Sequence, residues 1–305
     1  MTNEDEIILN EFRKVLMNDT SDNVVDLDNR FKYKFDFQVH RYEDVLRDTN
    51  RNVAPHRWSY YRIGLVKKGS GDFITGIYNF TATENTLVII PTRVITSNKN
   101  WTLDVEGYVV LFNLDFFLQN SFPHQLIENK RVISGPIQPF LQLSDKHAEE
   151  MASIFETILS ENQGDNVGKN ELIALKILEL LITSERLFDE QLNFTTNLPV
   201  VDMIRAFTNL VELNFLQERT VTYYADKLNV HPNYLNSVVK KHTGRTAKES
   251  IQNRLLLEIK YLLHSTNLSI KAISNQMGFN DPNYFSSFFT RLENISPKKY
   301  RSSFI

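Results

Sequence analysis

Residues 220–244 have the sequence TVTYYADKLNVHPNYLNSVVKKHTG, and residues 268–297 have the sequence LSIKAISNQMGFNDPNYFSSFFTRLENISP. The two stretches share one pattern: a short amphipathic helix, a tight turn, a Pro-Asn-Tyr sequence and a second amphipathic helix. Asn229 and Gly278 stand at the turns, and both residue types tolerate the positive φ that ends a helix. Each stretch therefore predicts a helix-turn-helix unit.

A continuous helix is predicted between the two units, which cover about residues 221–242 and about residues 270–292. The intervening sequence AKESIQNRLLLEIKYLLH, at about residues 247–264, carries an apolar stripe at helical spacing. At ~1.5 Å per residue this linker helix spans about 27 Å. Because neighbouring major-groove openings on one face of DNA lie roughly 34 Å apart, the pattern indicates two DNA-reading units on one rigid connector.

These motifs together resemble the DNA-binding half of the AraC/XylS family of bacterial transcriptional regulators. The resemblance covers roughly residues 200–301 and rests, in chain order, on Ala225, HPNYLNSVVKKHTG, RLLLEIKYLL, IKAISNQMGFNDPNYFSSFFTR and ISPKKYR. It implies a sequence-specific transcriptional regulator that binds double-stranded promoter or operator DNA, works with RNA polymerase and forms a homodimer.

Composition bounds the class of protein. A chain of 305 residues is long enough for two domains with separate cores. It has no cysteine, which excludes disulfides and thiolate zinc sites and fits a reducing compartment. The acidic start MTNEDEIILN is no signal peptide, and no apolar run approaches the ~20 residues that span a bilayer. We therefore expect a soluble, cytoplasmic protein with no membrane partner.

Charge is distributed unevenly along the chain. Residues 200–305 carry 14 Lys and Arg against 8 Asp and Glu, a balance of +6. The remaining 20 basic and 29 acidic residues precede them, a balance of −9. Chance unevenness on solvated faces is the plain alternative, but beside two helix-turn-helix units the difference favours a nucleic-acid surface in the C-terminal third.

Short apolar and β-branched runs broken by turn signals fill residues 31–117, which is typical of a β-sandwich or small barrel. A short leading helix is predicted within residues 1–20. The segments PHRWSYYRIGLVKKGSGDF, LVIIPTRV and GYVVLFNLDFF resemble the cupin-like sensory domain that precedes AraC-type DNA-binding halves. That resemblance implies a small-molecule effector bound by the N-terminal half.

Few residues of this region are candidates for chemistry. Cupin enzymes hold a metal with clustered histidines, but here His56 stands alone, and a metal needs three or four ligands. We expect His56 to be a surface or hydrogen-bonded residue, with no metal and no cofactor bound. The effector-binding candidates cluster at the mouth of a predicted strand, where they could hold an organic anion: Arg57, Trp58, Tyr60 and Tyr61. The alternative places Trp58 and one tyrosine in the core and Arg57 at a solvated edge.

Two helices are predicted between residues 145 and 188. The second is apolar over more than one stripe, so it needs two partners. One is the neighbouring helix and barrel. The other is a second subunit, as the AraC resemblance implies, or a further part of the chain's own barrel. The predicted fold is α+β and multidomain. Residues 1–185 form a cupin-like regulatory, effector and dimerisation domain, residues 186–199 a linker, and residues 200–305 an all-α domain with both helix-turn-helix units.

The outward positions of the two recognition helices are the candidates for DNA contact. The base-contact candidates are Asn233, Asn236, Ser237 and Lys240 in the first unit and Asn283, Ser286, Ser287 and Thr290 in the second. The phosphate-contact candidates are Lys241, Arg245, Lys271, Arg291, Lys298, Lys299 and Arg301. Asn pairs with adenine and Ser specifies weakly, so we expect modest specificity per base.

Two other classes of function compete with the regulator. A cupin-type enzyme fused to a DNA-binding module needs a histidine cluster, a phosphate loop or a nucleophile motif, none of which the sequence carries, so we expect no enzymatic activity. A low-specificity architectural DNA binder would show little preference between sequences. Competition against unrelated DNA separates that class from the regulator.

Overall fold

Two antiparallel β-sheets form the first part of the described chain. The structure, a computed structural model, describes residues 36–47, 51–134, 138–195 and 198–302; the predicted leading helix lies outside them. The strands are β1 (Phe37–Arg41), β2 (Val53–His56), β3 (Tyr61–Lys68), β4 (Gly71–Thr75), β5 (Tyr78–Ala82), β6 (Thr86–Ile90), β7 (Thr96–Lys99), β8 (Glu106–Phe112) and β9 (Phe140–Gln142). Within these residues one sheet has the order β1-β8-β3-β6-β9 and the other the order β2-β7-β4-β5.

Strand β3 separates two apolar cores. Tyr61, Ile63 and Leu65 belong to a core shared with the helices that follow the sandwich, whereas Val66 belongs to the core between the sheets. Successive side chains of a strand point to opposite faces, which accounts for this division. A turn follows β3, and Gly69 there has a φ of +77°.

Helices cover the outer face of the five-stranded sheet. They are α2 (Leu114–Gln119), α3 (Gln125–Glu128), α4 (Arg131–Ser134), α5 (Asp145–Gln163) and α6 (Lys169–Thr195), whereas the preceding helix, α1 (Tyr42–Val45), belongs to the core between the sheets. Helix α5 begins at an N-cap, Ser144, whose hydroxyl accepts from the amide of His147 (3.3 Å). The α5 side chains Met151, Phe155 and Ile158 are buried against the sheet core.

Helix α6 has a second, partly exposed apolar stripe, as its sequence predicted. Ile173, Ile177 and Leu181 are fully buried, but Leu175 on another face is 48% exposed. The half-buried side chains beside Leu175 are Leu172, Leu178 and Ile182. No helix in the described residues is both long and apolar enough to span a membrane.

The helices that follow carry both predicted helix-turn-helix units. They are α7 (Leu198–Asn214), α8 (Val221–Lys227), α9 (Pro232–Thr243), α10 (Ala247–Ser265), α11 (Ile270–Gln276), α12 (Pro282–Glu293) and α13 (Pro297–Ser302). The units are therefore α8 with α9 and α11 with α12, joined by α10. The observed architecture is the expected one, a two-sheet β domain followed by an all-α region.

The segment predicted as a linker, residues 186–199, is largely helical. Helix α6 continues to Thr195, and the next helix, α7, begins at Leu198. Leu187 and Phe188 are buried in the core of the N-terminal half because they lie on the inner face of α6. The position of the domain boundary stays a prediction.

Candidate nucleic-acid interface

The two helix-turn-helix units close their turns with equivalent hydrogen bonds. In the first unit the amide of Val230 donates to the carbonyl of Ala225 (3.0 Å), and in the second the amide of Phe279 donates to the carbonyl of Ser274 (3.0 Å). Ala225 and Ser274 are both fully buried, which allows the second helix of each unit to cross the first closely. The residue before each donor has the predicted positive φ: Asn229 (+53°) and Gly278 (+70°).

The two recognition helices begin with equivalent side-chain caps. At α9 the Nδ1 of His231 accepts from the amide of Asn233 (3.2 Å), and at α12 the Oδ1 of Asp281 accepts from the amide of Asn283 (2.8 Å). A proline follows each cap at the first helical position, where its missing N–H leaves no helical hydrogen bond unmade. Both helix starts are thus held by their own caps, with Asn233 and Asn283 in the first turn.

Six of the predicted base-contact residues have exposed side chains: Asn233, Ser237 and Lys240 on α9, and Asn283, Ser287 and Thr290 on α12. The other two are half-buried and make internal hydrogen bonds. Asn236 accepts from the amide of Lys248 (3.3 Å), and Ser286 donates to the carbonyl of Pro282 (2.9 Å). Asn236 therefore also holds the start of α10 against α9.

Sequence reasoning missed two exposed tyrosines. Tyr234 on α9 is 49% exposed and Tyr284 on α12 is 64% exposed, although most large apolar groups of these helices are buried. They occupy the same position of the repeated Pro-Asn-Tyr sequence, directly after Asn233 and Asn283. The repetition was the available signal, but it predicted only where the helices start.

The predicted phosphate-contact residues divide into three groups. The exposed ones are Lys241, Lys271, Arg291, Lys298 and Lys299. Arg245 is half-buried. Arg301 is also half-buried, and its Nε donates to the carbonyl of Leu263 (3.1 Å) at the end of α10. Burial lowers the pKa of Arg301. This hydrogen bond ties α13 to the connector helix.

The connector helix α10 is anchored along its length. Its N-terminus has a full capping box, in which Thr246 accepts from the amide of Glu249 (3.2 Å) and Glu249 accepts from the amide of Thr246 (2.7 Å). The predicted apolar stripe is buried: Ile251, Leu255, Ile259, Leu262 and Leu263. Lys260 pairs with Glu293 of α12 (3.0 Å). Helix α10 therefore fixes both units relative to each other.

Comparisons with known proteins agree with this architecture. A model described as a helix-turn-helix domain matches residues 224–303. The Msm operon regulatory protein of Streptococcus mutans is 23% identical over 284 residues, which are 92% of this chain and 98% of that protein. The lactose operon transcription activator of Staphylococcus xylosus is 27% identical over 146 residues, 48% of this chain and 52% of that protein. ToxT of Vibrio cholerae is 15% identical, covers 88% of this chain and 98% of its own, and has a TM-score of 0.40.

The helix-turn-helix domain is of the AraC type, and the matching regulators include AraC-family members. The chain belongs to the AraC family of transcriptional regulators. Transcription regulation and DNA binding are its functions.

The N-terminal half of this AraC-family chain contains a cavity of about 30 Å³ within the sandwich. Two of the four effector-binding candidates, Trp58 and Tyr60, line it. Tyr61 does not, because it points to the other face of β3 and stacks on Phe112 (ring centroids 5.4 Å apart). Arg57 does not line it either, because its guanidinium reaches across to α10. A charged residue outside the predicted set, Arg62, does line the cavity.

Arg57 joins the sandwich to the DNA-binding half. Its Nη2 lies 3.2 and 2.9 Å from the two carboxylate oxygens of Glu258 on α10. Glu258 also accepts from Nη1 of Arg254 (2.9 Å), whose Nε donates to Glu212 of α7 (2.7 Å). The guanidinium of Arg57 lies 5.0 Å from the ring centroid of Tyr261. The solvated edge expected for Arg57 is therefore wrong, since this side chain makes a partly buried interdomain ion pair.

His56 is buried and hydrogen-bonded. Its Nδ1 lies 2.8 Å from the carbonyl of Ala54, so Nδ1 donates. Burial lowers the pKa of His56 to about 3, opposed by that hydrogen bond and assisted by the charge of Arg62 and by His264. Of the two positions predicted for His56, the surface is wrong and the hydrogen-bonded one is confirmed. Among the described residues no group of three or more His, Asp or Glu could hold a metal ion.

Proposed function

We propose that this AraC-family regulator binds a specific promoter or operator sequence by placing α9 and α12 in neighbouring major grooves of one DNA duplex. The observation that carries the proposal is the equivalence of the two units in turn, cap and exposed face, combined with one buried connector between them. A rigid connector of about 27 Å suits the groove repeat of DNA.

Roles within each unit follow from exposure. The exposed Asn, Ser, Lys and Thr side chains of α9 and α12 contact base edges, together with Tyr234 and Tyr284. The exposed cations, including Lys241 and Arg291, contact phosphates on either side. Residues 200–305 are the DNA-binding domain and residues 1–185 the regulatory domain. As a regulator of transcription the protein acts in the cytoplasm, alongside RNA polymerase.

The N-terminal half is the regulatory partner. A small-molecule effector in the sandwich cavity changes how the two halves dock, because the segment that lines the cavity with His56, Trp58 and Tyr60 also carries Arg57 to Glu258. Such a response needs an effector that binds the two docked states with different affinity. The second apolar stripe of α6, around Leu175, forms the homodimer interface. The names of two relatives, both operon regulators, support the control of an operon.

Selection of bound sequences from a random DNA pool tests the proposal. We expect an enriched motif with two half-sites about one helical turn apart for each chain. The double variant Asn283→Ala with Ser287→Ala should lose preference at one half-site and keep it at the other. Absence of any enriched motif would instead identify a low-specificity architectural binder and overturn the proposal.

A further inference from the structure

Arg62 brings a positive charge to an otherwise largely apolar cavity. The walls are mainly aromatic and aliphatic side chains, among them Tyr42, Trp58, Trp101 and Leu111. No Asp or Glu is among the described residues that line this space. The described residues that line the cavity of this AraC-family sandwich therefore include one arginine and no carboxylate.

Arg62 is half-buried and makes few polar contacts with the described part of the protein. Its Nη2 donates to the hydroxyl of Tyr42 over a long 3.4 Å, and its Cζ lies 5.6 Å from the ring centroid of Phe73. Its Nε is enclosed and has no hydrogen-bond partner. Within the described part of the chain no carboxylate forms an ion pair with Arg62, whereas Arg57, Arg254 and many surface cations have such partners.

A half-buried guanidinium at an apolar wall without a counter-ion is unfavourable. Arginine does not lose its proton in proteins, so the site does not relieve the charge by deprotonation. A buried charge is tolerated when it is paired and hydrogen-bonded. An anion bound beside Arg62 would supply both, because a carboxylate accepts two N–H groups of a guanidinium at once.

We propose that the sandwich cavity binds a small organic monocarboxylate, with the carboxylate on Arg62 and the apolar body between Trp58 and Trp101. This inference rests on the proposed effector role of the N-terminal half and names the chemical class of the effector. The aromatic and aliphatic walls favour an apolar body over a sugar, which would need several hydrogen-bonding partners. Arg62 replaces Arg57 as the residue that recognises the anion.

Tryptophan fluorescence provides a direct measurement, because the chain has two tryptophans and both line the cavity. The full-length protein is titrated with acetate and with propionate, which suit a cavity of about 30 Å³, and in parallel with acetamide and propanamide, which have similar shapes but no charge. We expect a saturable change with at least one acid and at least 10-fold weaker binding of its amide. The variant Arg62→Gln should bind that acid at least 10-fold more weakly, and Arg62→Lys should bind it within about threefold of wild type.

The matched control is Arg93→Gln, which removes an exposed arginine from the loop after β6 and should leave binding unchanged. Failure of both acids to produce a saturable change overturns the proposal. Equal binding of acid and amide, or of acid to wild type and Arg62→Gln, overturns it as well. If Arg62→Gln does not fold, the comparison of acid with amide on the wild-type protein still decides. Because no DNA is present, failure here is distinct from failure of the operator selection.

Discussion

The guanidinium of Arg57 faces the carboxylate of Glu258 across the junction of the two halves, with Nη2 2.9 Å from Oε2. Their side chains are 32% and 12% exposed, so the pair is shielded more than any pair on the open surface of the sandwich such as Lys68 with Glu106. Glu258 is shared with Arg254, which is shared with Glu212. Opposite charges therefore alternate from Arg57, directly after β2, to α10 and on to α7.

Removal of this pair should loosen the junction. We expect Arg57→Met to lower the free energy of unfolding by about 1–2 kcal/mol, less than for a fully buried pair because Arg57 is partly solvated. Hydrogen exchange in β2 and in the middle of α10 should accelerate. The control is Lys68→Met, which breaks an exposed pair in the same sandwich and should change neither region. Unchanged exchange in Arg57→Met would show that apolar contacts alone hold the halves together.

Base recognition by α12 should depend on Asn283. We expect Asn283→Ala to weaken binding to the selected operator by about 1–3 kcal/mol and to leave binding to unrelated DNA unaltered. Its exposed side chain makes the thermal stability insensitive to this change. Asn236→Ala serves as the contrast, because Asn236 also bonds to the amide of Lys248 and its removal should lower stability as well. Equal losses on specific and unrelated DNA for Asn283→Ala would remove it from base recognition.

Phosphate contact by Lys241 should appear as a salt effect. We expect Lys241→Ala to weaken binding to all sequences alike and to reduce the slope of log affinity against log salt by about 1. Lys146→Ala, at an exposed position on α5 in the N-terminal half, is the control and should keep the wild-type slope. A wild-type slope for Lys241→Ala would place that side chain away from the DNA backbone.

The two exposed tyrosines should act on DNA and hardly on stability. We expect Tyr234→Ala and Tyr284→Ala each to weaken operator binding several-fold, because these rings lie in the first turns of the recognition helices. The conservative variants Tyr234→Phe and Tyr284→Phe separate ring contact from hydroxyl contact. Gel-shift titration measures the loss of operator affinity, and thermal melting measures the loss of stability. A purely structural role would be indicated if the melting temperature fell far enough to unfold the variant at the temperature of the binding assay.

Burial of neutral His56 should make the N-terminal half sensitive to acid. Its pKa is about 3 in the folded protein and 6.5 ordinarily, so between these values the unfolded chain binds more protons. This contribution to stability is fully present above pH 6.5 and is lost as the pH falls towards 3. The limiting loss is about 1.4 kcal/mol per pH unit. Urea unfolding at pH 7, 6 and 5 should show a steeper decline for wild type than for His56→Gln, with parallel curves above pH 7.

The helical half was largely predictable because its signals are local. Turn residues such as Asn229 and Gly278 act within a few positions of the helices they end, and the buried stripe of α10 follows from its own spacing. The sandwich was recognisable in the same way from its strands and turns. Contacts across the chain carried no such signal: Arg57 and Glu258 are 201 positions apart. Because side chains alternate along an extended chain, only one of the neighbours Tyr60 and Tyr61 can face the interior. The sequence pattern did not show which one. Arg62, which shares the face of Tyr60, was therefore overlooked.

The burial of α10 on several sides limits how the DNA recognition of such a regulator can change in evolution. Side chains on the outer faces of α9 and α12 can be substituted without disturbing the core, so the base sequence that the regulator prefers can change in evolution. The spacing between the two half-sites cannot change in the same way. Lengthening or shortening α10 would break three contacts at once: the cap at Thr246, the ion pair of Lys260 with Glu293 and the hydrogen bond from Arg301. Paralogues of this chain should therefore differ in the bases that they prefer and share one half-site spacing.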